Sequence, residues 1–216
     1  MSRLLFIIIF TLTSFASAVN ASFITWDIEG EVGYISPELA GVFSADDFFT
    51  GQITFDTTIP DSEPTVSYRG KYVNSVSMSG SVSGYDAYVE NMYSLVLDDF
   101  PFDGSDRLHA TTGSVDYGTE AAIGDFRFYG FNLYFRDEYG DMLDSILIPE
   151  EPPNISHFEH LYINFGKPLG GGSTLGASVS VNLTSISAAS PVPEPSTILL
   201  LGSGLAGLAF YRRKKK

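Results

Sequence analysis

Between residues 22 and 187 apolar and polar side chains alternate in short runs, the pattern of strands with one buried face and one wet face. Trp26, Ile28, Val32 and Tyr34 share one parity, while Thr25, Asp27, Glu29 and Glu31 take the other. Phe49, Ile53 and Phe55 alternate with Thr50, Gln52 and Thr54. Phe131, Leu133 and Phe135 alternate with Asn132, Tyr134 and Arg136, and Val179, Val181 and Leu183 with Ser178, Ser180 and Asn182. The same reading predicts strands around 72–79, 85–91, 93–97, 108–112 and 161–165. Turn residues separate them at Pro60-Asp61-Ser62, Asp103-Gly104-Ser105, Tyr139-Gly140-Asp141 and Pro152-Pro153-Asn154. No run sustains a helical period over three turns. The expected fold is all-β: a single antiparallel β-sandwich, with a jelly-roll-like form as second choice.

The pattern changes at both ends. Arg3, the apolar run from Leu4 to Phe15 and the small residues Ala16-Ser17-Ala18 predict a secretory signal peptide over 1–21, cut after Ala18 or Ala21. Residues 188–196 form a linker in which small residues and prolines replace alternation. Residues 197–211 are predicted as a transmembrane helix, with Leu199, Leu200, Leu201, Leu205 and Leu208 as its apolar anchor. That span is shorter than the roughly 17–25 residues that cross comfortably, and snorkelling Arg and Lys make up part of the difference. Gly202, Gly204 and Gly207 leave one helix face bare for close approach of another helix. Arg212, Arg213, Lys214, Lys215 and Lys216 hold the end in the cytoplasm. The spacing of Gly202, Gly204 and Gly207 also matches a dinucleotide fingerprint, but no βαβ unit or later acidic residue accompanies it, so it carries no nucleotide site.

Val192-Pro193-Glu194-Pro195-Ser196-Thr197, then the Gly-rich apolar run, then the basic cluster resemble the PEP-CTERM sorting signal of Gram-negative bacteria. The resemblance implies export, transient anchoring in the inner membrane, and cleavage by an exosortase near Pro193, Glu194 and Pro195. The product is expected at the cell surface or in the extracellular matrix. The run from Phe49 to Asp61, with Gly51, Phe55-Asp56 and Pro60-Asp61, is similar to an early strand of many exported domains that bear this tail.

Charge narrows the partners. Between residues 22 and 190 six Lys and Arg face 25 Asp and Glu, a formal charge of −19. Nucleic acid and anionic lipid are poor partners for that surface. There is no cysteine, so an exported domain must fold on its core alone.

Candidate chemistry is sparse. Gly80-Ser81-Val82-Ser83-Gly84 is not a nucleophile elbow, because valine stands at its centre. Glu29, Glu31, Glu90 and Glu159 lie on polar parity, where carboxylates are ordinarily a solvated face. His157 and His160 fall on opposite sides of a strand and cannot chelate together there. Asp103, Asp106 and Asp141 in turns are the calcium candidates, although no EF-hand spacing is present. Tyr134, on polar parity beside Asn132 and Arg136, is the candidate for stacking on a sugar ring. The expectation is a non-enzymatic surface or matrix protein associated with exopolysaccharide or biofilm. The alternative is a carbohydrate-binding adhesin of the same fold.

Overall fold

The computed structural model describes residues 23–112, 122–155, 158–170 and 173–189. The predicted signal peptide, transmembrane helix and basic tail lie outside the described residues, as does His157. No helix among the described residues is long and apolar enough to cross a membrane.

Eight strands follow in chain order: β1 (Phe23–Ile35), β2 (Phe48–Asp56), β3 (Arg69–Val82), β4 (Tyr85–Leu97), β5 (Asp106–Thr111), β6 (Arg127–Asp137), β7 (Phe158–Gly170) and β8 (Ser173–Ala188). Each pairs antiparallel with its chain neighbour, and β1 also pairs with β8. The expected sandwich is therefore wrong: the sheet closes into an up-and-down barrel. Alternation is the same in both architectures, since each strand turns one parity toward a core. What separates them is whether the first strand meets the last, and Ile28↔Ile186 and Val32↔Val181 show that it does. Closure removes the open edges of a sandwich.

The inward parity fills the barrel. Trp26, Phe49, Phe55, Phe128, Phe131, Phe135 and Phe165 are all buried in one cluster with Ile28, Ile53, Met78, Leu161 and Val179. Their rings meet tilted or edge-on, as in Phe128–Phe131 at 5.0 Å and Trp26–Phe55 at 4.7 Å. Mid-strand outward positions on β1 to β3, such as Thr25, Asp27, Glu29, Thr50, Gln52, Ser79 and Ser81, are polar, with exposed Phe23, Tyr34, Phe48 and Val73 nearer the strand ends, unlike the continuous apolar band of a membrane barrel.

Both mouths are stoppered. The β1–β2 loop, with a 3-10 turn at Pro37–Leu39, lowers Leu39 and Phe43 into one end, where Phe43 packs on Phe165 and Tyr85. At the other end the loop after β6 buries Leu143 and Ile148, and Tyr72 donates its hydroxyl hydrogen to the Ile146 carbonyl at 3.1 Å. This second end also holds the start of β1 and the end of β8, joined by a bond from the Ala189 N–H to the Thr25 carbonyl.

Two local expectations change. The separate strands over 85–91 and 93–97 are one strand, β4, interrupted by Asn91 at φ 58°. Asn74 on β3 has the same left-handed backbone, and the β3–β4 register shifts between Tyr72 and Met78. The paired bulges bend both strands without ending them. Tyr34 also leaves the inward parity of Val32, because a register shift falls between them, and it is 57% exposed.

Candidate functional site

A solid interior leaves the outer face and the loops to carry chemistry. The sugar candidates Tyr134 and Asn132 sit on the outer face of β6, next to His109 and Thr111 of β5 and His160 and Tyr162 of β7. Cross-strand pairing brings five rings together. Tyr93 meets His109 at 6.4 Å, His109 meets Tyr134 at 5.8 Å, and His160 meets Tyr162 at 5.7 Å. His109 stands edge-on to both tyrosines, at 78° and 87°. The result is a half-buried ring strip crossing β4 to β7.

Asn132 fixes the centre of that strip. Its Oδ1 lies 2.7 Å from His109 Nε2, so the imidazole presents an N–H there as donor. Burial pushes the His109 pKa down, while the Asn132 hydrogen bond works against that shift. That shift favours the neutral form of His109, and the strip offers apolar ring faces with polar edges, the combination that suits a pyranose.

The calcium candidates do not come together as expected. Asp103 is occupied by Arg107, by Arg136 at 3.2 Å and by Ser105, whose hydroxyl lies 2.6 Å away. Those hydrogen bonds, Ser105 first, hold its pKa below the ordinary carboxylate range. Asp141 gives its backbone N–H to Asp137 Oδ2. Asp106 instead groups with Asp98 and Asp99, whose carboxylate oxygens lie within 4.8 Å of one another. Asp106 is fully buried and accepts from the Asp99 and Leu143 N–H groups at 3.0 and 2.8 Å, so it ties the β4–β5 loop to the loop after β6. Those three could hold a hard cation such as calcium; their oxygens are also well used as acceptors for loop backbone.

Sequence reasoning missed Tyr93, His109, His160 and Tyr162 as neighbours of Tyr134. They come from three strands, β4, β5 and β7, and only the register of the sheet aligns them with Tyr134 on β6. The available signal was their shared outward parity. Of the carboxylates on polar parity, Glu90 accepts the Tyr88 hydroxyl at 2.6 Å, and Glu29 faces outward on β1.

The sorting residues Pro193, Glu194 and Pro195 lie beyond β8, which leaves the barrel at its loop-rich end. Residues 191–215 match the family described as the PEP-CTERM protein-sorting motif. That motif implies an exported protein, anchored in a membrane before an exosortase processes it. Comparison with curated proteins and with solved structures returns no match to the chain.

Proposed function

Taking the chain as an exosortase substrate, we propose that the processed barrel is a non-enzymatic component of the cell surface or extracellular matrix, associated with exopolysaccharide. The sorting motif at 191–215 supports this reading, because it marks the chain for export and processing, and exopolysaccharide lies outside the cell. The signal peptide over 1–21 starts export, 197–211 anchors the precursor, and Arg212–Lys216 fix its orientation. The filled interior supports an external rather than an enclosed binding role.

The second reading, a carbohydrate-binding adhesin, draws on the ring strip. Tyr93, Tyr134 and Tyr162 offer stacking faces, and Asn132 and the tyrosine hydroxyls offer hydrogen bonds beside them. Co-sedimentation of the exported protein with polysaccharide isolated from its host tests both readings. Retention that Tyr134→Ala and Asn132→Ala together abolish supports the adhesin. Retention that survives both changes supports matrix association through another surface. No retention under any ionic condition overturns both.

A further inference from the structure

On the side of the barrel away from the ring strip, the outer face of β8, β1, β2, β3 and β4 holds a cleft of about 620 Å³. Two cross-strand rows build it. One runs Ser185, Glu29, Thr50, Ser81, Asp86, each opposite the next. The other runs Ser187, Asp27, Gln52, Ser79, Tyr88. Between them Gly51 and Gly80 are paired in register and form the floor, with the Phe49 ring against their inner side.

The lining contains three carboxylates, several hydroxyls and one amide, but no Lys or Arg. Five of the barrel's basic residues are engaged elsewhere: Arg69 and Lys71 with Glu63, Arg107 and Arg136 with Asp103, and Lys167 with Asp125. The cleft charge is thus left for a ligand to balance. A uronate polymer would be repelled there, and a neutral polyol could donate hydroxyl hydrogens to the carboxylates but would form no ion pair with them. A glycan with free amines supplies ammonium groups and hydroxyls together. Glu29 and Asp86 are three strand spacings apart, about 14 Å, so the row accommodates an oligosaccharide. Tyr88 ends the second row at the edge of the cleft, outside its lining, with a half-exposed ring held by its bond to Glu90, a platform for the part of a glycan that extends past the cleft.

We propose that this cleft is a second polysaccharide site, selective for glycans bearing free amines. Asp27, Glu29 and Asp86 pair with ammonium groups, Gln52 hydrogen-bonds a hydroxyl, and Tyr88 stacks. Gln52 Nε2 already donates to Asp27 Oδ1 at 2.7 Å, which holds both groups in place and leaves its carbonyl oxygen to accept from the ligand. The inference rests on the polysaccharide reading above only in taking the ligand to be a glycan. With the ring strip on the far side, it makes the barrel two-faced toward polymer.

Calorimetry on the exported product of the full chain tests this, with a glucosamine hexamer, its fully N-acetylated form and an oligogalacturonate. Binding is expected for the glucosamine hexamer, at least tenfold weaker for the acetylated form and undetectable for the uronate. The triple change Asp27→Asn, Glu29→Gln, Asp86→Asn should weaken binding at least tenfold. A charge-matched triple in the loops, Asp144→Asn, Glu150→Gln, Glu151→Gln, should leave it within twofold, with circular dichroism confirming both folds. Equal weakening by the two triples means bulk charge alone attracts the ligand and overturns the site. Binding lost in Tyr134→Ala but intact in the cleft triple overturns the cleft while the polysaccharide reading stands. Failure of every glycan, the host polysaccharide included, overturns both.

Discussion

The ring of Phe49 lies so close to Gly80 that a Cβ at that glycine would stand 2.5 Å from Phe49 Cε2 and Cζ. Both residues are on neighbouring strands of a closed sheet, and Phe49 is fully buried, so the ring has little freedom to retreat. Gly80→Ala is expected to destabilise the barrel by roughly 1–3 kcal/mol through overpacking. Urea unfolding followed by fluorescence of Trp26, the chain's single tryptophan, measures it. Phe49→Leu in the same chain should recover part of the loss, because the smaller side chain vacates the contact. Equal stability of Gly80→Ala and the parent would contradict the packing described.

Asp106 is the buried joint between two loops. Replacing it by Ala removes the acceptor for the Asp99 and Leu143 N–H groups together. The expected cost is about 2–3 kcal/mol, since the Leu143 donor is left buried. Hydrogen exchange should locate the effect: amides of the loop after β6 lose protection while those of β1 and β2 do not.

Asp98 predicts a pH effect. Burial, then the nearby charges of Asp106, Asp99 and Asp144, push its pKa above the ordinary value of 3.8. The folded chain therefore holds this proton more tightly than the unfolded chain. Its penalty is fully present above the raised pKa and fades as pH falls through it. Asp98→Asn should raise the melting temperature at pH 7 and lose that advantage near pH 4. Melting curves across that range check the sign.

His109 acts in the opposite sense. Its lowered pKa means the unfolded chain takes up the proton first as pH falls from 6.5. Its contribution to stability is complete above 6.5 and is lost as pH falls toward the folded value. Asn132→Asp places a carboxylate where the amide oxygen now lies 2.7 Å from Nε2, and should raise the His109 pKa by one unit or more. NMR titration of the imidazole reads this directly.

The strands were legible because inward residues such as Phe131, Leu133 and Phe135 are strictly alternate and the turns carry Gly, Asp and Pro. Closure was not, since the pairing of β1 with β8 joins segments some 150 positions apart and leaves no local trace. The break expected at Asn91 failed for a related reason: an asparagine at positive φ can end a strand or bulge it, and only the partner strand decides. At the candidate site, parity alone exposed Tyr134 and Asn132. The rings around them, and the rows from Ser185 to Asp86, required the register. Asp103 looked like a cation ligand from its turn, but Arg107 and Arg136 reach it only in the folded sheet.

Sorting is the central claim, and intact mass of the mature protein tests it most directly. The full-length chain is expressed in an exosortase-bearing host beside a variant with Pro193→Ala, Glu194→Ala and Pro195→Ala. The account predicts a released species from the parent alone, beginning after Ala18 or Ala21, ending near residues 190–195 and lacking Arg212–Lys216. Retention of both proteins in the membrane with the basic tail intact would contradict it, leaving a plain anchor and a barrel that is never set free.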